Sequence, residues 1–173
     1  MENNQQSANI VLIGMMGSGK TSLGFAISHS ASMPFVDTDT LIKQKLNMAI
    51  PHIFEQYGES YFRSQETEIA HIAAAYSNTV IATGGGMVTR PENMAALGEN
   101  GFVVYLRCTA NQLYERTAGD ENRPLLGELE GLERLLAERA TLYEKYSNFI
   151  IDANDIPTLV EMILDEYRNY QRA

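Results

Sequence analysis

The stretch Ile10–Ser22, IVLIGMMGSGKTS, decides the fold. Four apolar residues, Ile10 to Ile13, read as a buried strand that runs into Gly14. Met15, Met16, Gly17, Ser18, Gly19, Lys20 and Thr21 follow, which completes G-x-x-x-x-G-K-[ST] between a strand and a helical segment. That is the context a phosphate-binding loop requires. Glycines let the backbone turn tightly and present bare N–H groups to phosphate oxygens. The helix that follows adds the partial positive charge of its N-terminus. In this pattern Lys20 reaches the β- and γ-phosphates, and Thr21 offers a hydroxyl to Mg²⁺. Gly17, Ser18, Gly19, Lys20, Thr21 and Ser22 are therefore the candidate nucleotide contacts.

Outward from this stretch, strands and helices alternate. Residues 1–9 read as a frayed tail. A helix is expected over about 20–30, and a short strand Phe35–Val36 ends at Asp37. Helices follow over about 40–46, from Pro51, and over about 59–76. TVIAT (79–83) and FVVYL (102–106) read as buried strands, and NFIID (148–152) as a fifth. A helix from Pro91 to about Leu97 is closed by Gly98. Thr109 caps a helix to about Thr117, an amphipathic helix covers 129–146, and Pro157 opens the last. Short apolar strands alternating with helices predict a single α/β domain: a five-stranded parallel sheet covered on both faces. Ligands of such sheets sit beyond the carboxyl ends of the strands. Gly14–Thr21, Asp37–Asp39 and Gly84–Gly86 should therefore share one crevice.

The chain has 173 residues and a net charge of −9, with an isoelectric point near 4.8. This balance argues against a nucleic-acid or anionic-membrane surface. No apolar run approaches the ~20 residues of a membrane span, and the N-terminus lacks a signal-peptide pattern. A reducing cytoplasm and a monomer are the expectation. Cys108 is the only cysteine and is read as a small buried residue. The three histidines lack metal-ligand spacing.

An acidic protein that binds a polyanion must concentrate its few cations at the site, so each arginine matters. Arg63 has Glu66 one helical turn on, placed to orient it. Arg139 lies on the amphipathic helix, and Arg123 in the polar stretch AGDENRPLLG (118–127), which reads as a loop able to close over a phosphate. Arginine suits bidentate capture of carboxylate or phosphate. Taken singly, each could equally be a surface ion-pair partner. Asp37 and Asp39 flank Thr38. In an extended backbone they point to one face, one supporting Mg²⁺ through water, the other accepting a proton from a substrate hydroxyl. The alternative is a pair of solvated turn acids. Gly84, Gly85 and Gly86 imply a backbone that a ligand approaches closely, or else a flexible turn.

Together GMMGSGKTSLG, DTD, IFEQYGESYFR, TGGG, ERTAGDENRPLL and RATLYEKYS occur in an order and spacing that resembles the shikimate kinases, over about 10–152. The resemblance implies ATP-dependent phosphorylation of the 3-hydroxyl of shikimate, in aromatic amino-acid biosynthesis. It also implies strand order 2-3-1-4-5, a substrate-binding region about 38–66 and a lid about 118–127. Position by position, Lys20 contacts the phosphates and Thr21 the Mg²⁺, with Asp37 behind it through water. Asp39 holds the substrate hydroxyls and acts as base. Arg63 and Arg139 bind the shikimate carboxylate, and Gly85 offers a backbone contact. Arg123 is the lid arginine, and Arg116 lies near the adenine. The sequence departs from the family in IDANDIP, where Asp155 and Ile156 stand where a basic or polar residue is frequent. Two alternatives remain at this level: another small-molecule kinase of the same fold, such as a gluconate kinase, or a nucleotide-binding module without turnover.

Overall fold

The computed structural model describes residues 7–117 and 129–172. Five parallel strands, β1 (Asn9–Ile13), β2 (Phe35–Asp37), β3 (Val80–Ala82), β4 (Gly101–Arg107) and β5 (Phe149–Asp152), form one sheet in the order β2-β3-β1-β4-β5. This is the predicted order. The central strand β1 pairs with both neighbours, Ile10 opposite Val80 on one side and Phe102 on the other.

The strands read as unbroken apolar runs because the sheet is covered on both faces. Alternate residues go to opposite cores. Val11 and Ile13 join Ile81, Val103 and Tyr105 on the face covered by α3 (Ile50–Ala74), α4 (Pro91–Glu99) and α6 (Leu129–Tyr146). Ile10 and Leu12 join Phe102, Val104 and Leu106 beneath α1 (Lys20–Ala31) and α7 (Ile156–Tyr170). Each such side chain, buried to within a few per cent, contributes roughly 1.5–3 kcal/mol. A third, smaller core of Ile42, Ile53, Phe62 and Ile69 joins α2 (Thr38–Leu46) to α3. The remaining helix, α5 (Ala110–Thr117), opens with a capping box: Thr109 Oγ1 accepts from Gln112 N–H while Gln112 Oε1 accepts from Thr109 N–H. No helix among the described residues is long and apolar enough to cross a membrane.

Several boundaries differ from the sequence expectation. The tail does not extend to Asn9. That side chain is buried and ties two strand ends, donating to Tyr76 O (2.7 Å) and accepting from Thr79 N–H (3.0 Å). Within α3 the two helices anticipated over 51–76 are both present, meeting at a kink at Gly58 (φ 80°, ψ 171°), whose non-helical conformation glycine adopts readily. Gly98 does not close α4, which continues to Glu99. Asp155 is the N-cap of α7, accepting from Thr158 N–H at 3.0 Å. The departure from the family pattern there has a local use.

Candidate active site

The turn after β1 is built around three backbone conformations that side chains resist, Gly14 at φ 146°, Gly17 at φ 78° and Gly19 at φ 101°. Gly19 also precedes α1, so the first N–H groups of that helix face the same space. The Lys20 ammonium is folded into the loop. It donates to Gly14 O (2.8 Å), Met15 O (2.7 Å) and Ser18 Oγ (3.2 Å). Arg116 braces the loop from α5, donating from Nη1 to Ser18 O at 2.8 Å and lying 3.5 Å from Cys108 Sγ. Burial, opposed by the charges of Arg116 and Lys20, raises the Cys108 pKa.

Asp37 and Asp39 are brought to the same cleft, but not by an extended backbone. The strand β2 ends at Asp37 and α2 begins at Thr38, two residues earlier than expected. Asp37 is thus an N-cap whose Oδ1 accepts from Thr40 N–H (3.0 Å) while Oδ2 accepts from Thr21 Oγ1 (2.8 Å). Asp39 sits in the first turn of the helix, where the macrodipole favours a carboxylate. Thr38 between them is fully buried and accepts from Gly84 N–H at 3.0 Å.

In the glycine turn after β3, each glycine is crowded by something different. A Cβ on Gly84 would lie 2.5 Å from Asp39 Oδ1 and 3.1 Å from Glu66 Oε1. One on Gly85 would lie 2.9 Å from Met16 N in the phosphate loop, and one on Gly86 only 1.8 Å from Arg63 Nη1. The protein's own carboxylate, guanidinium and loop therefore approach these glycines closely.

Arg63 is held between two acids. Nη1 donates to Glu66 Oε2 (2.6 Å), and Nη2 and Nε donate to Glu59 Oε1 (2.9 and 3.2 Å). Glu66 is 1% exposed. Burial pushes its carboxyl above the ordinary value, against the opposing charge and hydrogen bond of Arg63, and nearby Asp39 adds to the rise. Burial would by itself lower the Arg63 pKa, but the charge and hydrogen bond of Glu66, with those of Glu59, outweigh it and leave it raised. The guanidinium keeps its charge at any working pH. Across the turn, Arg139 Nη1 donates to Gly85 O at 3.3 Å, and Tyr143 OH donates to the same carbonyl at 2.6 Å.

One open cleft has Gly17, Gly19, Lys20, Thr21, Ser22, Asp37, Asp39, Gly84 and Gly85 on its walls. The three strand ends predicted to share a crevice do share it. Arg63 and Arg139 reach the glycine turn at its edge, Ser18 supports the loop from behind, and Arg123 lies outside the described residues.

The comparisons with known proteins follow the same pattern. A family model described as shikimate kinase matches residues 16–168. The chain belongs to the shikimate kinase family. The shikimate kinase of Ralstonia nicotianae is 41% identical, with 90% of this chain and 83% of that protein covered. A shikimate kinase from Acinetobacter baumannii, solved in complex with shikimate, superposes with a TM-score of 0.90 at 35% identity, covering 95% and 94% of the two chains. A gluconokinase from Sinorhizobium meliloti (TM-score 0.59, 16% identity, 96% and 95% covered) shares the fold alone.

Three residues that sequence reasoning missed hold this shikimate kinase site together. Thr38 and Tyr143 secure the glycine turn, and Glu59 is the second acid on Arg63. Each had a weak local signal: Thr38 is the centre of DTD, Tyr143 is one turn from Arg139, and Glu59 is one turn before Arg63. Nothing in the sequence announced that the partners of Thr38 and Tyr143 would be backbone groups of a distant turn.

Proposed function

We propose that the cleft transfers the γ-phosphoryl group of ATP to the 3-hydroxyl of shikimate, giving shikimate 3-phosphate and ADP. The observation that carries this reading is the sharing of one cleft by two halves. A phosphate loop with a buried lysine opens on the carboxylate of Asp39, and the guanidinium groups of Arg63 and Arg139 are packed on adjoining glycines. The first half suits a nucleoside triphosphate, the second a small alcohol that carries a carboxylate.

In this reading the loop N–H groups of Gly17–Ser22 and the α1 N-terminus hold the phosphates, and Lys20 turns its ammonium from the loop carbonyls to phosphate oxygens. Arg116 stands toward the adenine, and Arg123 is assigned to the transferring phosphate from the sequence alone. Thr21 and Asp37 present a hydroxyl and a carboxylate 2.8 Å apart at the mouth of the cleft. Hard oxygen donors of this kind fit Mg²⁺, which takes one or two carboxylates and keeps its waters. Bound there, Mg²⁺ would neutralise charge on the β- and γ-phosphates.

On the acceptor side, Arg63 and Arg139 bind the shikimate carboxylate and thereby orient the ring. The Gly85 carbonyl is approached by both Tyr143 and Arg139, so the contact from Gly85 to substrate falls to its N–H. Asp39 accepts a hydrogen bond from the 3-hydroxyl, aligns its oxygen on the γ-phosphorus and takes the proton as the P–O bond forms. Coupled ADP release with shikimate, set against gluconate, quinate and other hydroxy acids, tests the reading. Turnover is expected with shikimate alone. Faster turnover with gluconate, or ADP release independent of any acceptor, would overturn it.

A further inference from the structure

The Tyr143 hydroxyl is a buried polar group that the proposed chemistry does not use. It meets three elements at one point. It donates to Gly85 O in the glycine turn (2.6 Å), lies 3.5 Å from Met15 Sδ in the phosphate loop, and belongs to α6. The ring is fully buried and stacks on Tyr105 with centroids 4.9 Å apart and planes at 24°. Arg139 is one turn earlier on the same face of α6 and shares the Gly85 carbonyl. Arg63, from α3, is packed against Gly86. The two guanidinium groups therefore rest on successive residues of one turn, whose place relative to α6 is set by the Tyr143 hydrogen bond.

We propose that Tyr143 is a positioning residue for substrate. Its hydroxyl fastens the Gly85–Gly86 backbone to α6 and so sets the separation of Arg139 from Arg63 to fit one carboxylate. The inference rests on the reading above, in which these arginines bind the acceptor's carboxylate. Burial raises the phenol pKa against the opposing charges of Arg139 and Arg63, so the hydroxyl remains a donor throughout the working pH range. A buried hydroxyl is retained where its hydrogen bond is made. Here the acceptor it chooses is one that the site itself depends on.

The test is Tyr143→Phe, which keeps the stacked ring and removes only the donor. The KM for shikimate is expected to rise about three- to tenfold, as for loss of one hydrogen bond. The kcat and the KM for ATP should stay within about twofold, because no group that touches the phosphates has changed. Preference for shikimate over its uncharged carboxamide should shrink in parallel. Arg139→Ala is measured alongside. If Arg139→Ala raises the KM for shikimate and Tyr143→Phe does not, the positioning role is overturned and the carboxylate reading stands. If neither variant moves it, that reading falls as well. Equal rises in both KM values would mean a structural role only and would also overturn the proposal. Should Tyr143→Phe fold poorly, 4-fluorophenylalanine at position 143 fills the space of the hydroxyl but cannot donate. The KM for shikimate should again rise about three- to tenfold, and a wild-type KM in that variant would refute the proposal.

Discussion

Gly86→Ala isolates one contact on which the acceptor half depends. Gly86 has φ −89° and ψ −5°, a conformation alanine adopts without strain. The only obstacle is Arg63. The new methyl would lie 1.8 Å from Nη1, 2.5 Å from Cζ and 2.9 Å from Nη2, all inside the 3.0 Å that real Cβ atoms respect. The guanidinium must leave its place, and with it goes the 2.6 Å hydrogen bond to Glu66. Removing one partner of a buried ion pair costs about 3–5 kcal/mol. Here the arginine is displaced rather than deleted, so a loss of about 2 kcal/mol is expected. On the substrate side, a lost charge-assisted hydrogen bond is worth about 1.5–3 kcal/mol, or roughly a 10- to 150-fold rise in the KM for shikimate. The stability loss should also depend on pH. Burial already raises the Glu66 pKa, and withdrawal of the Arg63 charge raises it further. A carboxyl raised in the folded state favours folding below its unfolded pKa, near 4.5, and loses that contribution as pH rises through the folded value. The deficit of Gly86→Ala is therefore small near pH 4.5 and grows toward pH 8. Urea unfolding at several pH values, with steady-state kinetics for both substrates, measures these quantities. A wild-type KM for shikimate, or a deficit that is the same at every pH, would refute the reasoning.

The other expectations are simpler to state. Asp39→Asn should lower kcat by about 10²- to 10⁴-fold while ADP affinity measured by calorimetry is kept, since the amide can align a hydroxyl but cannot take its proton; near wild-type turnover would remove Asp39 as base. Gly98→Ala, in α4 with nothing within 4 Å of the new Cβ, should stabilise the fold by about 0.5–1 kcal/mol in urea unfolding and leave the kinetics unchanged. Cys108 should react slowly with a maleimide at pH 8 and faster as pH rises above the ordinary thiol value of 9.0, because burial raises its pKa. Rapid labelling at pH 7 would contradict the observed burial.

The phosphate loop, the alternation of strands and helices, and the convergence of three strand ends were legible because each is local. Glycine spacing, an apolar run of a few residues and a capping signal all act within about one turn of chain. Asp37, Asp39, Arg63 and Arg139 stood out as residue types, because an acidic chain with a phosphate loop has few cations to spare, and the structure places all four at or beside the cleft. What local pattern got wrong is instructive. The two acids were placed by an extended backbone, whereas the cap on Thr40 N–H starts α2 at Thr38 and turns Asp39 into its first helical turn. The glycines were read only as space for a ligand; Gly84 and Gly85 do line the cleft, and the turn is also crowded by Asp39, the phosphate loop and Arg63.

The amino-acid sequence by itself determined that a nucleotide site follows β1, and which side chains are available to serve it. Only the tertiary structure decided how the second half is held. Glu66 is an ordinary acid one turn from an arginine until folding buries it beneath the glycine turn. Tyr143 is a core aromatic until α6 brings its hydroxyl to Gly85, 58 residues away in the chain. Such partnerships rest on distances between elements far apart in sequence, and no periodicity or motif encodes a distance through space.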